Sequence, residues 1–93
     1  MTGTYRLIHI KGKLIWLLAA LGNRKVFEGD KGHNVCLGVR WGEFEVFFGD
    51  LLFYKWWPIV DYLAPDGDNL KGTFFWGGKK KGEFRLTKLA GIG

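Results

Sequence analysis

Apolar and polar positions alternate along most of this chain with a period of two, the period of a strand with one buried face. The pattern is clearest over residues 60–89. There an apolar run enters the turn Ala64-Pro65-Asp66-Gly67-Asp68-Asn69, and strands are predicted over 70–76 and 83–89. The basic segment Gly77-Gly78-Lys79-Lys80-Lys81-Gly82 separates those strands and reads as a solvated hairpin tip.

Earlier in the chain, residues 4–10 alternate as a first strand, with Tyr5, Leu7 and His9 on one face and Ile8 and Ile10 on the other. Gly12 punctuates it. Residues 13–21 carry Leu, Ala and Trp with little β-branching, which predicts a short buried helix stopped by Gly22-Asn23. A strand starts at Val26-Phe27-Glu28, a turn is expected over 29–34, and a further strand over 34–41. Within 43–57, Phe44, Phe47, Phe48 and Leu51 fit a helical stripe. The density of Phe, Val, Tyr and Trp and the turn dipeptide Gly49-Asp50 favour two strands instead. Pro58 then marks an edge or a bulge, because proline cannot donate to a central ladder. Trp56 and Trp57 are expected on opposite sides of a strand, one in the core and one at the rim. The fold class is mainly β: a small antiparallel β-barrel or half-barrel with a short N-terminal helix.

The 93 residues, 47% of them hydrophobic, fit a single domain over 1–93 with one thin core. Eight Phe, five Trp and three Tyr exceed what such a core easily encloses. Some of these rings are therefore expected to line a cavity, an interface or a membrane-facing patch. Cys36 is the sole cysteine, so no intramolecular disulfide forms, which favours a reducing, cytoplasmic location. The apolar stretch 13–22 follows Arg6 and Lys11 and superficially copies an export signal. It is too short to span a bilayer, and the expectation is a buried element with no transmembrane segment.

Charge is sorted along the chain. Residues 1–27 hold Arg6, Lys11, Lys13, Arg24 and Lys25 without a carboxylate, the middle is acidic, and from 69 onward Lys71, Lys79, Lys80, Lys81, Arg85 and Lys88 face only Glu83. First and last strands are neighbours in a closed sheet, so the two ends can form one cationic face contacting an anion through Lys79, Lys80, Lys81 and Arg85. The alternative is that these side chains merely solubilise an edge.

Little in the inventory supports catalysis. The chain contains neither Ser nor Gln, which removes serine-nucleophile schemes. Cys36 lies in an apolar run, where a buried inert thiol is the commoner finding. His33 and Cys36 with Asp30 fall short of the four ligands of a structural zinc site. Asp66-x-Asp68 lacks the later ligands of a calcium loop. Glu43 and Glu45 share a strand face and are expected to meet water. No catalytic residue, metal or cofactor is assigned, and a histidine in a pocket would be the feature to revise that. Tyr5, Phe74, Phe75 and Trp76 beside basic ends are compatible with nucleic acid, without a motif for it. Trp56-Trp57 beside Lys55 is compatible with a membrane surface.

Lys25-Val26-Phe27, Gly32-His33-Asn34-Val35, Val60-Asp61-Tyr62-Leu63, 67–72 and 82–86 together resemble the closing half of lipocalin-like bacterial β-barrel proteins. The likeness covers residues 25–89. The chain departs from that group in being shorter and in lacking an early Gly-x-Trp. The resemblance implies a barrel around an apolar small molecule, or a partial sheet completed by another subunit.

The reading that follows is a non-catalytic binding protein enclosing a lipid, acyl chain or other apolar small molecule. Trp16, Phe44, Val46, Phe48, Phe74, Trp76, Phe84 and Leu86 would line its pocket. The alternative is an interaction or assembly protein that docks a partner chain, a second copy, nucleic acid or an anionic surface through its aromatic surface and basic termini.

Overall fold

A computed structural model describes residues 2–89. They form the strands β1 (Thr2–Lys11), β2 (Arg24–Glu28), β3 (Lys31–Cys36), β4 (Val39–Phe47), β5 (Leu51–Tyr54), β6 (Ile59–Asp66), β7 (Asn69–Trp76) and β8 (Lys79–Lys88), with one helix, α1 (Lys13–Ala20). Each strand pairs antiparallel with the next, and β8 returns to β1, so the barrel closes on itself. Leu7 opposes Leu86 and Ile8 opposes Arg85 across that seam. A half-barrel awaiting a second subunit is excluded, because neither terminal strand is left with an open edge.

The connections fall at two ends. Helix α1, the β3–β4 turn, segment 55–58 and the β7–β8 turn lie at one end, and the remaining turns lie at the other. Helix α1 stops as the Gly22-Asn23 signal predicts. Gly22 N donates to Ala19 O and Asn23 N to Leu18 O, the paired bonds of a Schellman motif with Gly22 at φ 74°. The helix is not buried as expected. Ile15 is its one buried residue, and Leu14 and Leu18 join it on the barrel side, while Trp16 and Leu17 face outward.

Several turns are tighter than the sequence suggests. The expected turn over 29–34 reduces to Gly29-Asp30, so His33 and Asn34 lie in β3. Residues 34–41 are two strands, not one, broken by Leu37-Gly38. Leucine carries no turn signature, yet Leu37 sits at φ 52° and Gly38 at φ 78°, the left-handed pair a two-residue hairpin requires. The left-handed region costs a non-glycine residue about 1–2 kcal/mol. Leu37 is also solvent-exposed. Leu37→Asn is therefore expected to raise stability by about 1 kcal/mol, read as a higher urea midpoint with unchanged slope. A lower midpoint would show that Leu37 has a packing role.

Gly49-Asp50 does separate two strands, β4 and β5. The basic segment Lys79–Lys81 belongs to β8, and only Gly77-Gly78 forms the turn. Pro58 is neither at an edge nor in a bulge; it lies in the bend 55–58 between β5 and β6. Trp56 and Trp57 occupy the same bend rather than opposite faces of a strand.

Phe27, Phe44, Leu52, Leu63 and Leu86 pack the half of the barrel away from α1. Two glycines make room for large rings inside the barrel. A Cβ on Gly72 would come within 2.2 Å of the Phe84 ring, and one on Gly32 within 2.5 Å of Phe44 Cζ. Each glycine pairs in register with the phenylalanine it accommodates. The small-against-large fit lets a narrow barrel hold aromatic side chains without strain.

Candidate functional site

Alternation along the strands decides which side chains enter the barrel, and at the helix end those side chains enclose a cavity of about 290 Å³. Leu7, Ile59, Phe74 and Phe84 supply strand walls, and Leu14, Ile15 and Leu18 of α1 cover it. These three helix positions fall within one arc at 100° per residue, whereas Trp16 projects the opposite way. The rim is aromatic. Trp57 packs edge-on against Trp41 at 6.2 Å and against Trp76 at 6.1 Å, so three indoles span the mouth. A more open hollow of about 470 Å³ shares Leu14, Phe74 and Trp76 with the cavity and adds Lys13 and Lys81.

The inner end of the cavity is polar. Lys25 from β2 and Asp61 from β6 are 4% and 1% exposed and form an ion pair at 3.1 Å. Lys25 Nζ also donates to Asn34 Oδ1 at 2.9 Å and to Tyr54 Oη. Tyr54 Oη donates to Asp61 Oδ2 at 2.9 Å and accepts from Asn34 Nδ2 at 3.2 Å. Asn34 Nδ2 also donates to Gly42 O, and Asn34 Oδ1 accepts from Asn23 Nδ2 at 3.0 Å. Asn23 Oδ1 in turn accepts from Trp41 Nε1 at 2.9 Å, which ties the network to the rim. Rings surround the ammonium, with Nζ 5.1 Å from the Tyr54 centroid and 5.5 Å from those of Phe44 and Phe84. Such faces attract a cation that has lost its water.

One atom stands outside this network. Asp61 Oδ1 is buried and has no hydrogen-bond partner among the described residues. Burial lowers the Lys25 pKa below its usual value, and the adjoining Asp61 charge offsets only part of that shift. Burial also raises the Tyr54 phenol well above its usual value, and the Asp61 charge adds to the rise.

The structure distributes the residues read from sequence. Phe74, Trp76 and Phe84 line the cavity. Phe44 lies beside it, against Lys25; Leu86 belongs to the packed core, and the half-buried Val46 packs against that core. Trp16 is 59% exposed on the outer side of α1. Phe48 is 92% exposed in the β4–β5 turn at the far end. Neither ring lines the cavity: the helix turns Trp16 outward, and φ 55° places Phe48 in a turn rather than a strand.

Of the basic residues, Lys71 and Lys80 pair with Glu83 at 3.5 and 3.2 Å, and Arg85 pairs with Asp66 at 2.9 Å. Lys79 and Lys81 have no ion pair among the described residues, and Lys81 borders the entrance hollow. His9 is exposed, and His33 borders a separate outer hollow beside Glu28, so the cavity lining contains no imidazole. No cluster of three metal-ligating side chains occurs among the described residues, and none of their helices is long and apolar enough to cross a membrane.

The polar groups Lys25, Asn34, Tyr54 and Asp61 were not singled out from sequence as site residues. A signal existed: Lys25 is in phase with inward Phe27, and Asp61 with inward Ile59 and Leu63. Two opposite charges on inward faces of separate strands predict a buried pair. Comparison with known protein families, with curated proteins and with solved structures finds no match to this chain.

Proposed function

We propose that this protein binds a small, largely apolar molecule inside the barrel and performs no chemistry on it. The observation that carries this reading is the 290 Å³ cavity, walled by aliphatic and aromatic side chains and opening at a rim of three indoles. Its size is near the lower end of small-molecule pockets. At about 30 Å³ per water-sized element it accommodates roughly ten non-hydrogen atoms. A compact ring system fits that volume, whereas a long acyl chain would have to leave through the mouth. Affinity would come from removing apolar surface from water on both partners.

Docking through the basic ends has less support, because Lys71, Lys80 and Arg85 already face carboxylates. The lipocalin-like resemblance agrees with enclosure and remains part of this proposal.

Titration with 2-methylnaphthalene, followed by the amide and methyl NMR signals of the folded protein, tests the reading. Shifts are expected at Leu7, Ile15, Ile59 and the Trp41 indole, with little change at the far end. Leu18→Trp, which fills the cavity from α1, should weaken binding at least about tenfold, in line with the loss of a well-fitted apolar pocket. Changing Lys79 and Lys80 together to Glu, which line neither the cavity nor its entrance hollow, should leave it unchanged. Absence of saturable shifts in the wild-type barrel would refute the proposal.

A further inference from the structure

We infer that the cavity selects apolar ligands carrying one hydroxyl or N–H group, which donates a hydrogen bond to Asp61 Oδ1, and that it rejects carboxylates. This inference rests on the enclosure proposed above and adds the ligand class.

The argument is an inventory of donors and acceptors around the inner end. Lys25 Nζ has three partners, Asn34 Oδ1, Tyr54 Oη and Asp61 Oδ2, which match the three hydrogens of an ammonium. The Tyr54 hydroxyl donates to Asp61 Oδ2 and accepts from Lys25 and Asn34. Both hydrogens of Asn34 Nδ2 are used, on Gly42 O and Tyr54 Oη. Asp61 Oδ2 already receives two partners, while Asp61 Oδ1, in a residue only 1% exposed, receives none among the described residues. Asp61 is one of the residues that line the cavity, so its orphaned acceptor lies in the cavity wall, covered until a ligand's donor displaces what packs over it.

An unpaired buried acceptor is costly, and a ligand that supplies a donor removes that cost. A donor bonded to a carboxylate also forms one of the stronger kinds of hydrogen bond. A carboxylate ligand meets the opposite situation. The ammonium that would attract it is fully engaged, and the one free position is another carboxylate oxygen. With Lys25 and Asp61 cancelling each other, the site offers no net positive charge to offset that repulsion. A single donor on a ring system of about ten non-hydrogen atoms matches both the volume and the polar end.

Isothermal titration calorimetry with four naphthalene probes tests the inference: 2-naphthol and 2-methylnaphthalene, which match in size, and the larger 2-naphthoate and 2-acetylnaphthalene. In the wild-type protein, 2-naphthol is expected to bind at least about tenfold tighter than the methyl analogue, because that analogue leaves Asp61 Oδ1 unpaired. The naphthoate is expected to bind at least about tenfold weaker than 2-acetylnaphthalene, its neutral counterpart of equal size. In Asp61→Asn the naphthol preference should shrink. Should that variant fail to fold, the doubly apolar Lys25→Met/Asp61→Leu serves instead, and there the preference should vanish or invert. Equal affinities for naphthol and methylnaphthalene, or tighter binding of naphthoate than of acetylnaphthalene, would overturn the inference while leaving enclosure standing. If none of the four binds, enclosure and inference both fail.

Discussion

Replacing Lys25 by methionine is expected to destabilise the barrel by about 3–5 kcal/mol, the range for removing one partner of a buried ion pair. For a domain whose whole stability is of the order of 5–15 kcal/mol, that is enough to unfold a large fraction of the chains. The loss would come mainly from Asp61 and Asn34, which would be left buried without the N–H donors that even an uncharged Lys25 amine supplies. Methionine approximates the lysine stem, so little of the effect should arise from lost packing. The companion variant Lys25→Met/Asp61→Leu removes both charges and is expected to recover all but about 1–3 kcal/mol, the cost of the Tyr54 hydroxyl left without Asp61. Urea unfolding of the two variants under one buffer condition measures both values. A single variant that loses under about 1 kcal/mol would mean that Asp61 is rehydrated through the cavity, and the ion pair would then matter little to the fold.

The pH profile of stability should bend in the alkaline range, with Lys25 and Tyr54 acting in opposite directions. Burial holds the folded Lys25 pKa below 10.5, so between its folded value and 10.5 the unfolded chain binds more protons than the native state. Stability therefore rises with pH across that window, and the contribution is lost as pH falls through the folded value. Tyr54 has its folded pKa well above 10.0, so above that pH the native state keeps a proton that the unfolded chain releases. Stability then falls as pH rises. Each limb approaches about 1.4 kcal/mol per pH unit for one proton. Urea unfolding in steps from about pH 8 to about pH 11 should show the rise missing in Lys25→Met/Asp61→Leu and the fall missing in Tyr54→Phe. Slopes indistinguishable from wild type in both variants would show that other groups govern the alkaline response.

The two expectations share a cause, and it also explains the asymmetry of the barrel. The half away from α1 is filled by Phe27, Phe44, Leu52, Leu63 and Leu86, which need no polar partners. The half beneath α1 keeps a cavity because Asn23, Lys25, Tyr54 and Asp61 take positions that apolar side chains would otherwise fill. Polar groups in such a place must satisfy one another within low-dielectric surroundings, and all but one acceptor do so. That acceptor is what gives the cavity a chemical preference beyond size.

Local signals in the sequence determined a good deal of this protein. Period-two alternation marked β1, β7 and β8, the pair Gly22-Asn23 ended α1, and Gly49-Asp50 divided β4 from β5. These features depend on neighbours a few residues apart, which is the range over which a sequence pattern carries direct information. The Leu37-Gly38 turn escaped because a leucine was held at positive φ by the pairing of β3 with β4, a tertiary preference overriding a local one. Ring size alone points Trp16 and Phe48 to the pocket. Only the rotation of α1 and the position of a turn remove them from it.

The polar site needed closure above all. Lys25 and Asp61 lie in β2 and β6, strands that do not pair with each other, and no ladder register brings them together. They meet because eight strands close into a barrel narrow enough for side chains from opposite walls to touch across its interior. The sequence set each residue's face, and barrel closure set its partner.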